Sequence, residues 1–600
     1  LEDIISNGKV LEENLSYTNF QNFEESFILK KLEELQKTSK SGKVTILAHS
    51  NGGLVTKALM QKLKDTNNPL YEKIDKIIFV AVPQVGTPEA FVSLLHGVKV
   101  GKGFVMNADM ARNLAENMPT IYNLLPSENY FTNLQIPFTL DKLISFQDKE
   151  IFKKEISKYD LTIDNYSELK AYILGKEERD KPSFEDTRNP NIGNSFLYDQ
   201  AQAVHQILDN WQPSSETKVI QIAGWGEETI AGIDYVVKHK DISFKPRWVV
   251  DGDATVVVPS ALWMPESEKV ERWWVNLAEY NGILPIFRTE HKDILEVENL
   301  RNFIKSQITK SDFVDSEKII LDNDSTLISN KSRLHFTLHS PLTLGIINAD
   351  GLYTGMDPIT KEIKEEIPGV RYSQIGEVQF ISVPSGIFYT LKLQGYTDGN
   401  FSLDIEKQIG NTITDATTFE DISSSITTLA TIDIISDFEV LKVKLKVDQD
   451  GDGNIDETYP IVKVEIPIPF TPPTPSSSYG GGAPGAVLIS QSNSVPITNI
   501  NILSNIEDIL DTEIIKDIEK DVEKEVIKVV DIVKKEKVIL ETKKIEEVVS
   551  TENTKEIEES QNIPLTASVT NSNVNNNWLW YVIILVILII GLIFRRFVKI

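Results

Sequence analysis

Residues 44–54, VTILAHSNGGL, run from a β-branched apolar stretch into Ala48-His49-Ser50-Asn51-Gly52-Gly53 and on into a helical pattern. Strand, tight turn, serine and helix in that order constrain the chain more than any other segment. Small residues two before and two after such a serine let the backbone reverse sharply and lift the hydroxyl above a sheet. Ala48 and Gly52 occupy those places; Gly is the commoner residue at the first, and Ala adds one methyl to a crowded turn. The same turn aims the backbone amide of Asn51 at the point where an oxyanion would form.

Two further residue types follow in the order this architecture requires: serine, then acid, then histidine. An apolar run at residues 248–257, WVVDGDATVV, carries Asp251 and Asp253 in an acidic turn, as expected where a strand of the sheet delivers a carboxylate at its C-terminal edge, and Asp253 is the preferred acid. The histidine is His291, in a loop that feeds a helical pattern. An imidazole takes the serine proton and returns it to the leaving group, while a carboxylate fixes its tautomer and stabilises the imidazolium. His96, His205, His239, His335 and His339 lack such a setting, and His49, next to the serine, reads as a packing or hydrogen-bonding residue turned away from it.

Five segments in one order then resemble the bacterial relatives of the lecithin:cholesterol acyltransferase and GPI inositol-deacylase families, lipase-like α/β-hydrolases. They are AHSNGGLV at 48–55, VAVPQVGTPEA at 80–90, NMPTIYNLLPSENYF at 117–131, VIQIAGWGEET at 219–229 and DGDATVVVPSA at 251–261. The resemblance implies an α/β fold, a Ser50–Asp253–His291 triad with Asp253 as the acid, and hydrolysis or transfer of an acyl ester with a lipid-like substrate, with no cofactor for catalysis. Residues 1–312 are the expected hydrolase domain. About two hundred residues separate serine from acid, far more than a bare core needs. A helical cap over the serine is therefore expected at about 91–210, where Leu124, Leu125, Tyr130 and Phe131 either meet an acyl chain or seal the cap against the core. Before the serine strand only one helix, about 23–37, is visible. The first strands, the second oxyanion donor and an export signal are thus expected to precede Leu1, making the domain N-terminally incomplete.

Beyond a linker at 313–332, residues 333–466 alternate in short β runs between Gly, Pro, Asn and Asp turns, which predicts one or two antiparallel β-sandwich units. Within them the acidic hairpin 448–456, DQDGDGNID, sets Asp448, Asp450, Asp452, Asn454 and Asp456 at the spacing of an EF-hand calcium loop, but Tyr459 stands where the bidentate glutamate belongs. It reads either as a calcium-pinned hairpin or as an Asx/Gly turn that needs no metal. A Pro/Gly/Ser-rich linker (467–500) leads to a charged helical stalk (501–559) whose Ile and Val spacing suits self-association, and to a polar spacer (560–577).

The segment WLWYVIILVILIIGLIF with its basic followers gives a single transmembrane helix at 578–598. Trp578, Trp580 and Tyr581 would mark one interface, and Arg595, Arg596 and Lys599 the cytoplasmic side, so the catalytic domain would face outward from a cell membrane. The formal net charge of −27 opposes nucleic-acid binding, and the absence of cysteine excludes disulfides and thiol chemistry. Two function classes stay open: a surface-anchored serine esterase, lipase or acyltransferase, and a non-catalytic adhesion or binding protein with a degenerate hydrolase-like module.

Overall fold

A computed structural model describes residues 27–463 apart from 99–105, 133, 135–141, 283–287, 316–318, 322–330, 435–442 and 460–461. The first 26 residues, the linker from 467, the stalk, the spacer and the apolar segment 578–598 lie outside the described residues. Among the described residues no helix is long and apolar enough to cross a membrane.

The apolar runs VTILAH and IDKIIFV become the parallel strands Val44–His49 and Ile74–Val80, followed in the same sheet by Lys218–Trp225 and Val270–Asn276. Such strands are covered by helices on both faces, which is why they are nearly continuous in apolar residues. A fifth strand, Ile320–Leu321, closes the sheet antiparallel to Val270–Asn276. That short pairing corrects the reading of 313–332 as a plain linker: two buried or half-buried aliphatics suffice to join a sheet edge. The helix expected at 23–37 is described as Phe27–Thr38, with its first residues outside the described set.

The cap is only partly helical. Helices Ala108–Asn117, Lys153–Tyr159, Tyr166–Ile173 and Ser195–Leu208 are joined by strands Ile144–Phe146 and Thr162–Ile163. These two belong to a second, four-stranded sheet completed by the hairpin Thr229–Lys238/Asp241–Val249. The hairpin turns at His239 and Lys240, with φ of 56° and 64°, the left-handed pair required by a two-residue turn that matches strand twist. Trp248 and Val249 therefore end a hairpin strand and not a strand of the central sheet, a correction to the expected delivery of the acid. Leu125 and Tyr130 are buried in the core of the α/β domain, with Leu124 and Phe131 packed against it.

From Ser332 the period-two pattern builds one sandwich, antiparallel throughout, of a six-stranded and a seven-stranded sheet. Its core is separate, centred on Phe336, Leu344, Leu391, Phe401 and Ile432. The α/β domain and the sandwich nevertheless fall within one compact unit. Lys238 and Lys245 on the 229–249 hairpin reach the buried Asp404 of the sandwich at 3.0 and 2.9 Å, and Ser243 hydrogen-bonds His339. Removing one member of such a buried cluster leaves an uncompensated charge, a loss of about 3–5 kcal/mol.

Candidate active site

Ser50 directly follows the strand Val44–His49 at φ 54°, a left-handed conformation that costs a non-glycine residue on the order of 1–3 kcal/mol and persists only where the surroundings enforce it. Its N–H donates to Val80 O (3.1 Å), and Gly53 N–H donates to Ser50 O (2.9 Å), tying the turn to the neighbouring strand and to helix Gly52–Asp65. The close-packed glycine of this elbow is Gly53 and not Gly52. A Cβ on Gly53 would lie 2.3 Å from both Val82 methyls, whereas no described atom lies within 4 Å of one on Gly52. Asn51 is the N-cap of that helix, and its amide belongs to the first N–H groups, which have no intrahelical acceptor.

Ser50, Asp253 and His291 converge from three separate loops. His291 Nε2 stands 2.8 Å from Ser50 Oγ, and His291 Nδ1–H donates to Asp253 Oδ2 at 2.8 Å. Asp253 is 1% exposed. Its other oxygen, Oδ1, accepts from Val256 N (2.8 Å) and Thr255 N (3.2 Å), so the carboxylate cannot rotate away. His291 N–H donates to Asp253 O at 2.7 Å, locking the two loops together through the backbone as well. The other candidate acid, Asp251, faces elsewhere: it accepts from Trp225 Nε1 and from Asn411 of the sandwich. His49 packs on the His291 ring and donates from Nε2 to His291 O (2.9 Å), the supporting role expected of it.

Burial disfavours a charged His291, but the Asp253 carboxylate, the hydrogen bond to it and the charge of Glu89 outweigh that and hold the imidazole above its ordinary value. Glu89 is a site residue that the sequence did not single out. It lies in the first turn of helix Pro88–His96, where an acid is ordinary. Here burial pushes its carboxyl up to about 7 against the opposing effects of His291, a hydrogen bond from Thr255 and Arg371. Its Oε2 has no hydrogen-bond partner among the described residues.

The loop that supports the acid is equally constrained. Gly226 and Glu227 donate backbone hydrogen bonds to Val250 O and Gly252 O. Thr229 Oγ1 accepts from Ala254 N at 2.8 Å. Glu227 pairs with Arg288, and Asn281 donates to it at 2.7 Å. Glu228 is held by Arg333 and His335 of the sandwich, so that despite burial its carboxyl stays well below the usual range.

In the acidic hairpin, Asp448, Asp450 and Asp456 bring one carboxylate oxygen each within 4.8 Å of one another. Asp452 instead accepts from Asn454 N and Nδ2, and Asp448 accepts from Gly451 N and Gly453 N inside the turn. The flanking strands Leu445–Asp448 and Glu457–Tyr459 pair antiparallel, as the hairpin reading requires.

Residues 19–257 match the lecithin:cholesterol acyltransferase family, a span that holds Ser50 and Asp253 and ends before His291. The Arabidopsis thaliana protein named lecithin-cholesterol acyltransferase-like 4 is 27% identical over 272 residues, which cover 42% of this chain and 48% of the relative. The chain thus spans about half the length of that curated relative. Among solved structures, one from the Tle4-Tli4 complex is 18% identical over 36% of this chain and 43% of its own, with a TM-score of 0.24. The Bacillus licheniformis lipase BlEst2 in its propeptide form is 10% identical over 68% of this chain and 83% of its own, with a TM-score of 0.22. The family match over residues 19–257, the Arabidopsis relative and the run of four parallel strands with its serine elbow agree that this part of the chain resembles the α/β-hydrolase domain of the lecithin:cholesterol acyltransferase family.

Proposed function

We propose that the protein is a serine hydrolase that cleaves or transfers acyl esters of lipid-like substrates through an acyl-serine. The observation that carries this reading is the unbroken chain from Ser50 Oγ to His291 to Asp253, with both links at 2.8 Å. Ser50 Oγ attacks the ester carbonyl carbon and its proton passes to His291 Nε2. The imidazolium is stabilised by Asp253, and the carbonyl oxygen, now an oxyanion, faces the amide of Asn51. Collapse breaks the ester C–O bond; the alcohol leaves with the proton from His291, and water or a second alcohol resolves the acyl-serine with the same imidazole as base. A module kept for adhesion alone has no need of a serine held at φ 54° against a complete acid–imidazole pair.

The test is labelling of the full chain with a fluorophosphonate, followed by an acyl-ester panel. Ser50→Ala is expected to abolish both labelling and turnover; labelling that persists in the variant refutes the assignment. We propose in addition that the segment 578–598 anchors the enzyme in a cell membrane with the hydrolase outside, and that the stalk supports self-association. Both rest on the sequence pattern of residues outside the described set. For the acidic hairpin we propose a structural calcium ion held by Asp448, Asp450 and Asp456, without part in catalysis. A lower melting temperature on addition of EGTA supports it, and an unchanged one refutes it.

A further inference from the structure

The sandwich sends one hairpin, Arg371–Ile375 with Val378–Pro384, into the hydrolase. Its tip is fixed to the cap: Gly376 N–H donates to Gly97 O at 2.8 Å, Val98 and Ile375 form a bridge, and Glu377 pairs with Arg188. Its base lies against the loops that carry the acid and the histidine. There Arg371 Nη1 donates to Glu228 O (2.7 Å) on the loop supporting Asp253, and its Nε faces Glu290 Oε1 (3.3 Å), the residue directly before His291. Opposite Arg371 in the hairpin, Ser382 donates to Glu228 Oε1 at 2.7 Å.

We infer that Arg371 is a positioning residue for catalysis: its planar fork spans the acid-side and histidine-side loops and sets the approach of His291 to Asp253 and Ser50. A guanidinium offers diverging donors in one rigid plane, which two separate anchors of this kind require and a single ammonium does not supply. The sandwich thereby becomes a working part of the active site. The inference rests on the reading of Ser50 as a nucleophile, and its test is arranged so that the two fail separately. If wild-type protein neither labels with a fluorophosphonate at Ser50 nor turns over esters, that reading has failed.

If wild type is active, Arg371→Met is compared with Arg188→Met, which removes a cap–sandwich ion pair away from the triad loops. Misplacement of a reacting group by about 1 Å costs on the order of 10²-fold in rate. Arg371→Met is thus expected to lower kcat by about 10- to 100-fold at little change in KM, while Arg188→Met keeps wild-type kcat. Adding Glu290→Gln to Arg371→Met is expected to cost little more, because both changes break one link. Unchanged kcat in Arg371→Met, or an equal loss in Arg188→Met, overturns the inference. Where Arg371→Met does not fold, Arg371→Lys takes its place: a reduced kcat at unchanged KM supports the inference, and full kcat refutes it.

Discussion

Replacing Asp253 by Asn separates a positioning acid from a merely buried one. Asp253 uses both oxygens: Oδ1 takes two backbone N–H groups and Oδ2 takes His291 Nδ1–H. An amide has one acceptor end and one donor end. Turned with its NH₂ toward Thr255 N and Val256 N it would face two donors; turned the other way it faces one, so the oxygen stays with the backbone and the NH₂ meets His291 Nδ1. The imidazole must then accept at Nδ1 and carry its proton on Nε2, where it points at Ser50 Oγ and can no longer act as base. That tautomer error costs about 10⁴-fold in kcat in a Ser-His-Asp triad, or about 5 kcal/mol of barrier. The fold loses less: three charge-assisted bonds become neutral ones, about 2–3 kcal/mol together. The assay is kcat on a p-nitrophenyl ester beside thermal unfolding, with Asp251→Asn as comparison, since Asp251 bonds only Trp225 and Asn411 among the described side chains. Asp251→Asn is expected to retain kcat within about threefold, below the effect of any triad member. Loss of activity in Asp251→Asn with activity kept in Asp253→Asn would refute the assignment of the acid.

Two further outcomes follow from the site. Glu89→Gln removes a negative charge that raises His291; because the base must be unprotonated, the acidic limb of kcat/KM is expected to move to lower pH, by up to about one unit. As the Glu89 carboxyl lies near 7, wild type carries that charge mainly above neutrality, and an acidic limb that stays in place or moves upward in the variant counts against the coupling. At the elbow, Gly53→Ala is expected to destabilise by about 1–3 kcal/mol through overlap with Val82, whereas Gly52→Ala is neutral or stabilising by up to about 1 kcal/mol. Urea unfolding that ranks them the other way contradicts the packing described.

How much of this was legible in the sequence depends on the range of the interaction involved. The elbow was readable because it is local and the serine–acid–histidine order because this architecture fixes it along the chain, and the sandwich strands because side chains alternate locally with period two. The sheet that receives Trp248 and Val249 was not legible for the complementary reason. A β-branched run shows that a strand forms, not which sheet receives it, and its partner Ile144–Phe146 lies about ninety residues away in a segment read as helical. Gly52 and Gly53 are indistinguishable as letters; only the approach of Val82 from the next loop tells which is indispensable.

Glu89, Glu228 and Glu290 are the extreme cases, since in the sequence they are ordinary acids in a chain with net charge −27. Burial converts them into constraints. An exposed ion pair contributes little, about 0–1 kcal/mol, whereas a buried carboxylate must be matched by cations or it is driven neutral. Here the matching cations for Glu228 and Glu290 include Arg333 and Arg371, both supplied from the sandwich. Ser50, Asp253 and His291 could thus be found by motif, while the groups that hold their loops could not. Those groups sit some eighty to one hundred and forty residues downstream and meet the site only after two separately patterned domains dock.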